Sequence, residues 1–177
     1  MRCPESLLMV VLGIDPGLAN TGFGVVERRG SRLVALDGGV IETGSDLAIE
    51  RRLALIAAGA AEVLDEHSCE AVAFEDLYFG QNVASAFAVG HARGVLMLLA
   101  GERAIPCFSY TPQQVKSAVC GSGRAAKDQV ARMVAAMLSL PEPPTPNHAA
   151  DALAVAICHS NGAPLREAMP ATAGGAS

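Results

Sequence analysis

A chain of 177 residues, 51% of them hydrophobic and with a formal net charge of −5, is not a disordered coil or a basic nucleic-acid tail; it has the length for one domain around one sizeable core. No apolar stretch reaches the roughly 18 residues needed to span a bilayer, and the apolar run at 7–12 is too short for a signal-peptide core, so a cytoplasmic protein is expected. Five scattered cysteines (Cys3, Cys69, Cys107, Cys120, Cys158) form no CxxC pair, which argues for reduced, mostly buried thiols and against a zinc site or disulfide framework.

Residues 9–14 form a continuous apolar run ending at Gly13-Ile14-Asp15-Pro16-Gly17, the pattern of a buried central strand and a sharp turn. Residues 21–28 and 32–42 read as two further strands, joined as a hairpin through Arg29-Gly30-Ser31. Helical periodicity covers 46–66, with Leu47, Leu53, Ile56 and Val63 or Leu64 returning on one side. A short strand follows at 71–75, then a helix over 82–102 that is apolar around much of its circumference, then a short strand at 105–109. Thr111-Pro112 supplies the N-cap and first-turn proline of a helix that stops near Gly121-Ser122-Gly123. Residues 125–138 form the next helix, and the proline-rich stretch 141–146 is a stiff linker. A last helix covers about 147–159, and the Ala, Gly and Pro-rich tail after Gly162 is expected to be disordered. The order β-β-β-α-β-α-β-α-α-α predicts an α/β fold, a mixed sheet with helices on both faces.

Candidate chemistry sits at four places. Asp15 lies just past the first strand between Gly13 and Gly17, whose lack of side chains leaves room for a phosphate backbone. Glu75 ends a buried strand, where a carboxylate is costly unless paired or bound to metal. His148 and Asp151 are three apart and share a helix face, flanked by Ala149, Ala150, Ala152 and Ala154, small enough for that face to approach the sheet. Each has an ordinary reading when taken alone: a turn, an exposed acid past a strand edge, an acid near a helix N-terminus, a surface histidine. Together they form an oxygen-rich set of three carboxylates and an imidazole, which suits Mg²⁺ or Mn²⁺ and not zinc. Two such ions can activate water and stabilise the leaving oxygen in phosphodiester cleavage. The acidic total weighs mildly against DNA binding, yet the only two lysines, Lys116 and Lys127, share one segment with Arg124, Arg132 and a single acid, Asp128.

Gly13-Ile14-Asp15-Pro16-Gly17-Leu18 followed by Thr21-Gly22-Phe23-Gly24 resembles the opening of the RuvC family of crossover junction endodeoxyribonucleases. Phe74-Glu75-Asp76-Leu77-Tyr78-Phe79 with Gln81-Asn82 resembles the family's second acidic motif. Gln114-Val115-Lys116, Gly121-Ser122-Gly123 and Ala126-Lys127 are similar to its basic segment, and His148-Ala149-Ala150-Asp151-Ala152-Leu153-Ala154 to its C-terminal metal-binding helix. The four motifs run in order from about residue 9 to 159.

The resemblance implies a ribonuclease H-like fold with a five-stranded mixed sheet. It implies a homodimer that nicks two opposed strands of a Holliday junction in recombination and repair, with branch-migration partners of the RuvA–RuvB type. Asp15, Glu75, His148 and Asp151 become the catalytic and metal-binding set, with Mg²⁺, replaceable by Mn²⁺, at two ions per site. Some members of the family carry Asp in place of His148, so two roles stand for it: direct ligation, or positioning and proton transfer. Tyr78 and Phe79 would stack on unpaired bases at the junction centre. Lys116, Arg124 and Lys127 would neutralise phosphates, and backbone N–H groups at Gly121-Ser122-Gly123 would add donors. The resemblance places the dimer interface on the 82–102 helix, with Val83, Phe87, Val95, Leu96 and Leu99 among the contacts and Gly90 and Gly94 permitting close approach. Residues 9–161 would be the nuclease domain, residues 1–8 an N-terminal extension without a counterpart in the family pattern, and 162–177 the tail. A ribonuclease H acting on RNA–DNA hybrids shares the metal chemistry, and a non-catalytic junction-binding module is the alternative of another class. A sugar-kinase or actin-like ATPase would need about twice this length.

Overall fold

The structure is a computed structural model and describes residues 8–76 and 83–167. Strands β1 (Leu8–Asp15), β2 (Asn20–Arg29) and β3 (Arg32–Glu42) open the chain as antiparallel neighbours. The β2–β3 hairpin turns at Gly30, whose φ of 63° suits a residue without Cβ. Helix α1 (Ile49–His67), β4 (Ala71–Glu75), α2 (Val83–Glu102) and β5 (Cys107–Tyr110) follow. β4 lies parallel beside β1 and β5 parallel beside β4, so the order across the sheet is β3-β2-β1-β4-β5. Helices α3 (Pro112–Cys120), α4 (Lys127–Met137) and α5 (Asn147–Glu167) complete the fold. The expected five-stranded mixed sheet with helices on both faces is the observed one.

The strand period of two divides the core. Leu12 and Ile14 of β1 and Val72 and Phe74 of β4 pack with Val25, Ile56 and Leu96 beneath α1 and α2. Val11 of β1 and Ala71 and Ala73 of β4 point to the other side, where Val134 and Ile157 meet them from α4 and α5. Continuing the alternation puts Asp15 and Glu75 on the α5 side. The parallel register pairs Ile14 with Phe74, so the two acids stand one residue further along neighbouring strands.

α5 lies unusually close to this face. A Cβ on Gly13 would fall 2.0 Å from the Ala152 carbonyl oxygen, and one on Gly22 would fall 2.1 Å from that of His148. Gly24 is shielded by Leu153 in the same way. In register, Gly13 faces Gly24 and Asp15 faces Gly22. At these two paired positions β1 and β2 therefore present three glycines and one side chain to the first turns of α5, and that side chain is Asp15. The space beside Gly13 belongs to the helix and not to a phosphate backbone, which corrects the expectation from sequence. Gly17 serves its own turn, against the carbonyl of Asn20.

Several boundaries differ from those read in the sequence, each for a local reason. α1 starts at Ile49, because the Leu47 N–H bonds the Gly44 carbonyl in a turn, and Leu47 lies outside the helix. β5 starts at Cys107: the Ile105 N–H is taken by the Ala100 carbonyl, and Pro106 has no N–H. α4 starts at Lys127, since Ala125 is turned back onto the Ser122 carbonyl. α3 starts as expected, on a Thr111–Gln114 capping box. α5 continues past residue 159 to Glu167, so part of the segment expected as disordered tail is helical.

α2 brings two corrections. By length and composition its 20 residues, at a mean hydropathy of 1.6, could cross a membrane, where the sequence reading found no such stretch. Of the five apolar residues expected at a partner surface, Val83 and Phe87 are about two-thirds exposed, whereas Leu96 is buried in the core and Leu99 packs against it. Met97 and Leu98, not anticipated, are exposed as well.

Candidate active site

Asp15, Glu75, His148 and Asp151 line one cleft of about 330 Å³ together with Lys116, Lys127, Pro112, Val115, Val130 and Ala154. β1 and β4 supply the first two at adjacent strand ends. α5 supplies the next two from its first turns, held over the sheet by the glycine patch. α3 and α4 supply the lysines and the apolar wall. Residues separated by up to 136 positions thus meet at the end of the sheet where β1 and β4 terminate.

Two contacts organise the acids. His148 Nδ1 lies 2.7 Å from Asp15 Oδ2, and Lys127 Nζ donates to Asp151 Oδ2 at 2.9 Å. Among the described residues Glu75 has no such side-chain partner in the cleft. Burial, with the nearby charges of Asp15 and Asp151, pushes its carboxyl up to about 7, against the opposing pull of Lys127 and Lys116. Burial also raises Asp15, offset by its bond to His148. The bond to Asp151 holds the Lys127 ammonium above the usual lysine range.

Among the described residues no group of three His, Cys, Asp or Glu side chains already stands at metal-holding distances. The donor set still fits a hard divalent cation. Three carboxylates share a partly buried cleft in which two resist ionisation, and added positive charge relieves that resistance. Asp15, Glu75, Asp151 and His148 are the residues that could hold it.

Of the residues expected to contact DNA, Lys116 and Lys127 line the cleft, while Arg124 is exposed on the α3–α4 loop and does not. Tyr78 and Phe79 lie outside the described residues. In the Gly121-Ser122-Gly123 loop the Gly121 N–H caps α3 on the Ser117 carbonyl, and after the loop the N–H groups of Arg124 and Ala125 turn back onto Ser122.

One residue near the site went unread: Arg93 of α2, whose guanidinium reaches the Glu75 carbonyl at 3.1 Å. Its signal was present, since it is the only Lys or Arg in the 20-residue helix. The Lys127–Asp151 pair joins residues 24 apart on different helices, and no spacing rule anticipates it.

A family model described as crossover junction endodeoxyribonuclease RuvC matches residues 11–159. The protein of that name from Natranaerobius thermophilus is 46% identical over 158 residues, which cover 89% of this chain and 98% of the relative. Its counterpart from Moorella thermoacetica is 48% identical over 166 residues, covering 94% and 99%. Among solved structures, Thermus thermophilus RuvC in complex with a Holliday junction substrate superposes with a TM-score of 0.86 at 42% identity, covering 89% of this chain and 96% of that one. A yeast mitochondrial Holliday junction resolvase, 14% identical with a TM-score of 0.59, shares the fold.

Proposed function

The chain belongs to the RuvC family of crossover junction endodeoxyribonucleases, and on that footing we propose that it resolves Holliday junctions, nicking two opposed strands as a dimer in recombination and repair. It is a hydrolase of phosphodiester bonds. The observation that carries the reading is the single cleft in which β1, β4 and α5 bring Asp15, Glu75, His148 and Asp151 together beside Lys116 and Lys127.

Asp15, Glu75 and Asp151, with His148, would hold Mg²⁺, or Mn²⁺ in its place, as two ions per site, which would supply an activated water and charge for the leaving oxygen. The chain's own groups do the rest. Glu75, buried and repelled by its neighbours, favours any arrangement that brings positive charge close. His148 either ligates directly or orients the Asp15 carboxylate through the 2.7 Å contact. Lys127 neutralises Asp151, and its ammonium would be available to a phosphate where Asp151 held a cation instead; Lys116 faces the same cleft. Arg124 meets the backbone further out, and Tyr78 and Phe79 stack on bases at the crossover.

A second copy of the chain covers the outer face of α2. Val83, Phe87, Met97 and Leu98 are exposed there, and nothing among the described residues stands within 4 Å of a Cβ built on Gly90, Gly94 or Gly101. The protein acts in the cytoplasm with branch-migration proteins of the RuvA–RuvB type. Residues 9–161 make up the body of the nuclease domain, which Leu8 of β1 and the last turns of α5 extend, and the residues before Leu8 are a dispensable extension.

The test incubates the purified chain with a synthetic four-way junction, a matched linear duplex and an RNA–DNA hybrid, in Mg²⁺, Mn²⁺ or chelator. Paired nicks on the junction alone, abolished by chelator, are expected. Preferential cleavage of the hybrid, or none of the junction, refutes the reading.

A further inference from the structure

β1 pairs with β4 only as far as Ile14–Phe74. The carbonyl of Glu75, the residue that carries a metal-binding carboxylate in the reading above, therefore lies past the last β1–β4 pair. On its other side β5 still pairs with it, and the Asp76 N–H bonds the Tyr110 carbonyl at 2.8 Å. What holds the side that β1 leaves is a side chain from α2.

Among the described residues Arg93 makes four contacts at this strand end. One guanidinium nitrogen donates to the Glu75 carbonyl at 3.1 Å, and the other donates to Ser109 Oγ at 2.5 Å. Asp76 Oδ1 lies 3.7 Å away as an ion pair, and the guanidinium carbon sits 5.1 Å from the centre of the Phe74 ring. Its side chain is only 16% exposed, so it is committed to these partners and largely turned from solvent. β5, the Glu75 carbonyl, the residue before Glu75 and the residue after it are thus held from one point on α2.

We propose that Arg93 is a positioning residue for the nuclease centre: it fixes the backbone that aims Glu75, and so sets the affinity of the cleft for divalent metal without touching metal or DNA. The inference rests on the assignment of Glu75 to the metal site. Arginine is required because its planar fork serves two acceptors while its face lies on a ring; a lysine ammonium keeps the charge but cannot do both. Groups that orient ligands from behind typically change metal affinity by 10–100-fold when removed.

The test compares wild type, Arg93→Lys and Ser109→Ala in three measurements: Mn²⁺ binding to the DNA-free protein by electron paramagnetic resonance, junction binding in chelator, and thermal unfolding. For Arg93→Lys, Mn²⁺ affinity should fall roughly tenfold, with the Mn²⁺ concentration for half-maximal cleavage rising in step. Junction affinity in chelator should be unchanged. Ser109→Ala, which removes one anchor and leaves the arginine, should shift Mn²⁺ affinity the same way by less, and decides the matter if the lysine variant does not fold. Wild-type Mn²⁺ affinity in a folded Arg93→Lys, or in Ser109→Ala where the lysine variant is lost, overturns the proposal. So does a loss of junction binding that tracks the loss of cleavage, which would make Arg93 a DNA contact. Failure of the wild type itself to cut junctions would instead remove the functional reading.

Discussion

At the scale of single residues, Glu75 is the group the folded chain accommodates least well. Its carboxyl titrates near 4.5 when solvated and at about 7 in the cleft. A folded-state value above the unfolded one means that folding is favoured while the group is protonated. That contribution is complete below about pH 4.5 and is lost as pH rises toward 7. Glu75→Gln should therefore stabilise the metal-free protein at pH 8 by about 1–2 kcal/mol, discounted for the water that still reaches the group, or roughly 3–6 °C in Tm. The gain should vanish near pH 4.5, and cleavage should be abolished with junction binding retained. Thermal unfolding in chelator at the two pH values checks the first part, and equal gains at both would refute the charge argument. His148→Asp should retain measurable cleavage, since an aspartate in that place is a usable ligand; complete loss with junction binding intact would assign the imidazole a role of its own. These four residues were legible in the sequence because ordered motifs carry them. The Lys127–Asp151 bond and the grip of Arg93 on Glu75 were not, because each depends on which side chains face one another across separate elements.

At the scale of elements, the site depends on how α5 rests on the sheet. The order of strands and helices along the chain followed from apolar periodicity and turn signals. Where the reading failed was in assigning an empty space to an occupant: Gly13 announces that something comes close, and only the packed structure reveals the helix backbone there. The shifted starts of α1, α4 and β5 have a similar cause, each being set by a turn hydrogen bond that apolar periodicity does not report. The close approach yields a sharp expectation. In Gly13→Ala the added methyl would meet the Ala152 carbonyl oxygen at 2.0 Å and the Ala156 nitrogen at 2.7 Å, both of them helix backbone that cannot rotate away. The variant should lose about 3 kcal/mol of stability, or roughly 6–12 °C in Tm. Its cleavage rate should fall further than stability explains, because α5 carries His148 and Asp151. A Gly30→Ala control in the hairpin, where nothing stands within 4 Å but φ is positive, should lose stability and keep its metal-dependent rate. Equal loss of rate in both would separate catalysis from the seating of α5.

At the scale of the whole molecule, α2 has two faces with different work. Ala92, Leu96 and Ala100 enter the core, and Arg93 reaches the strand end that bears Glu75. Val83, Phe87, Gly90, Gly94, Leu98 and Gly101 recur at intervals of three or four residues along the outer side, apolar or bare. A helix of this hydropathy left half in water would be a liability for a free monomer, whereas bare glycines let a second helix come near. A symmetric contact would also explain paired nicking, because two identical clefts then address opposed strands of one junction. Leu98→Glu and Phe87→Glu should therefore yield protein that sediments as monomer and unfolds within a few degrees of wild type, since neither side chain supports the core. On a supercoiled plasmid extruding a four-way junction, wild type should give the linear product of two cuts in one junction, and the monomeric variants mainly nicked circles. Wild type that sediments only as monomer at working concentrations, or monomeric variants that still linearise the plasmid at the wild-type rate, would show that the two cuts need no partner across α2.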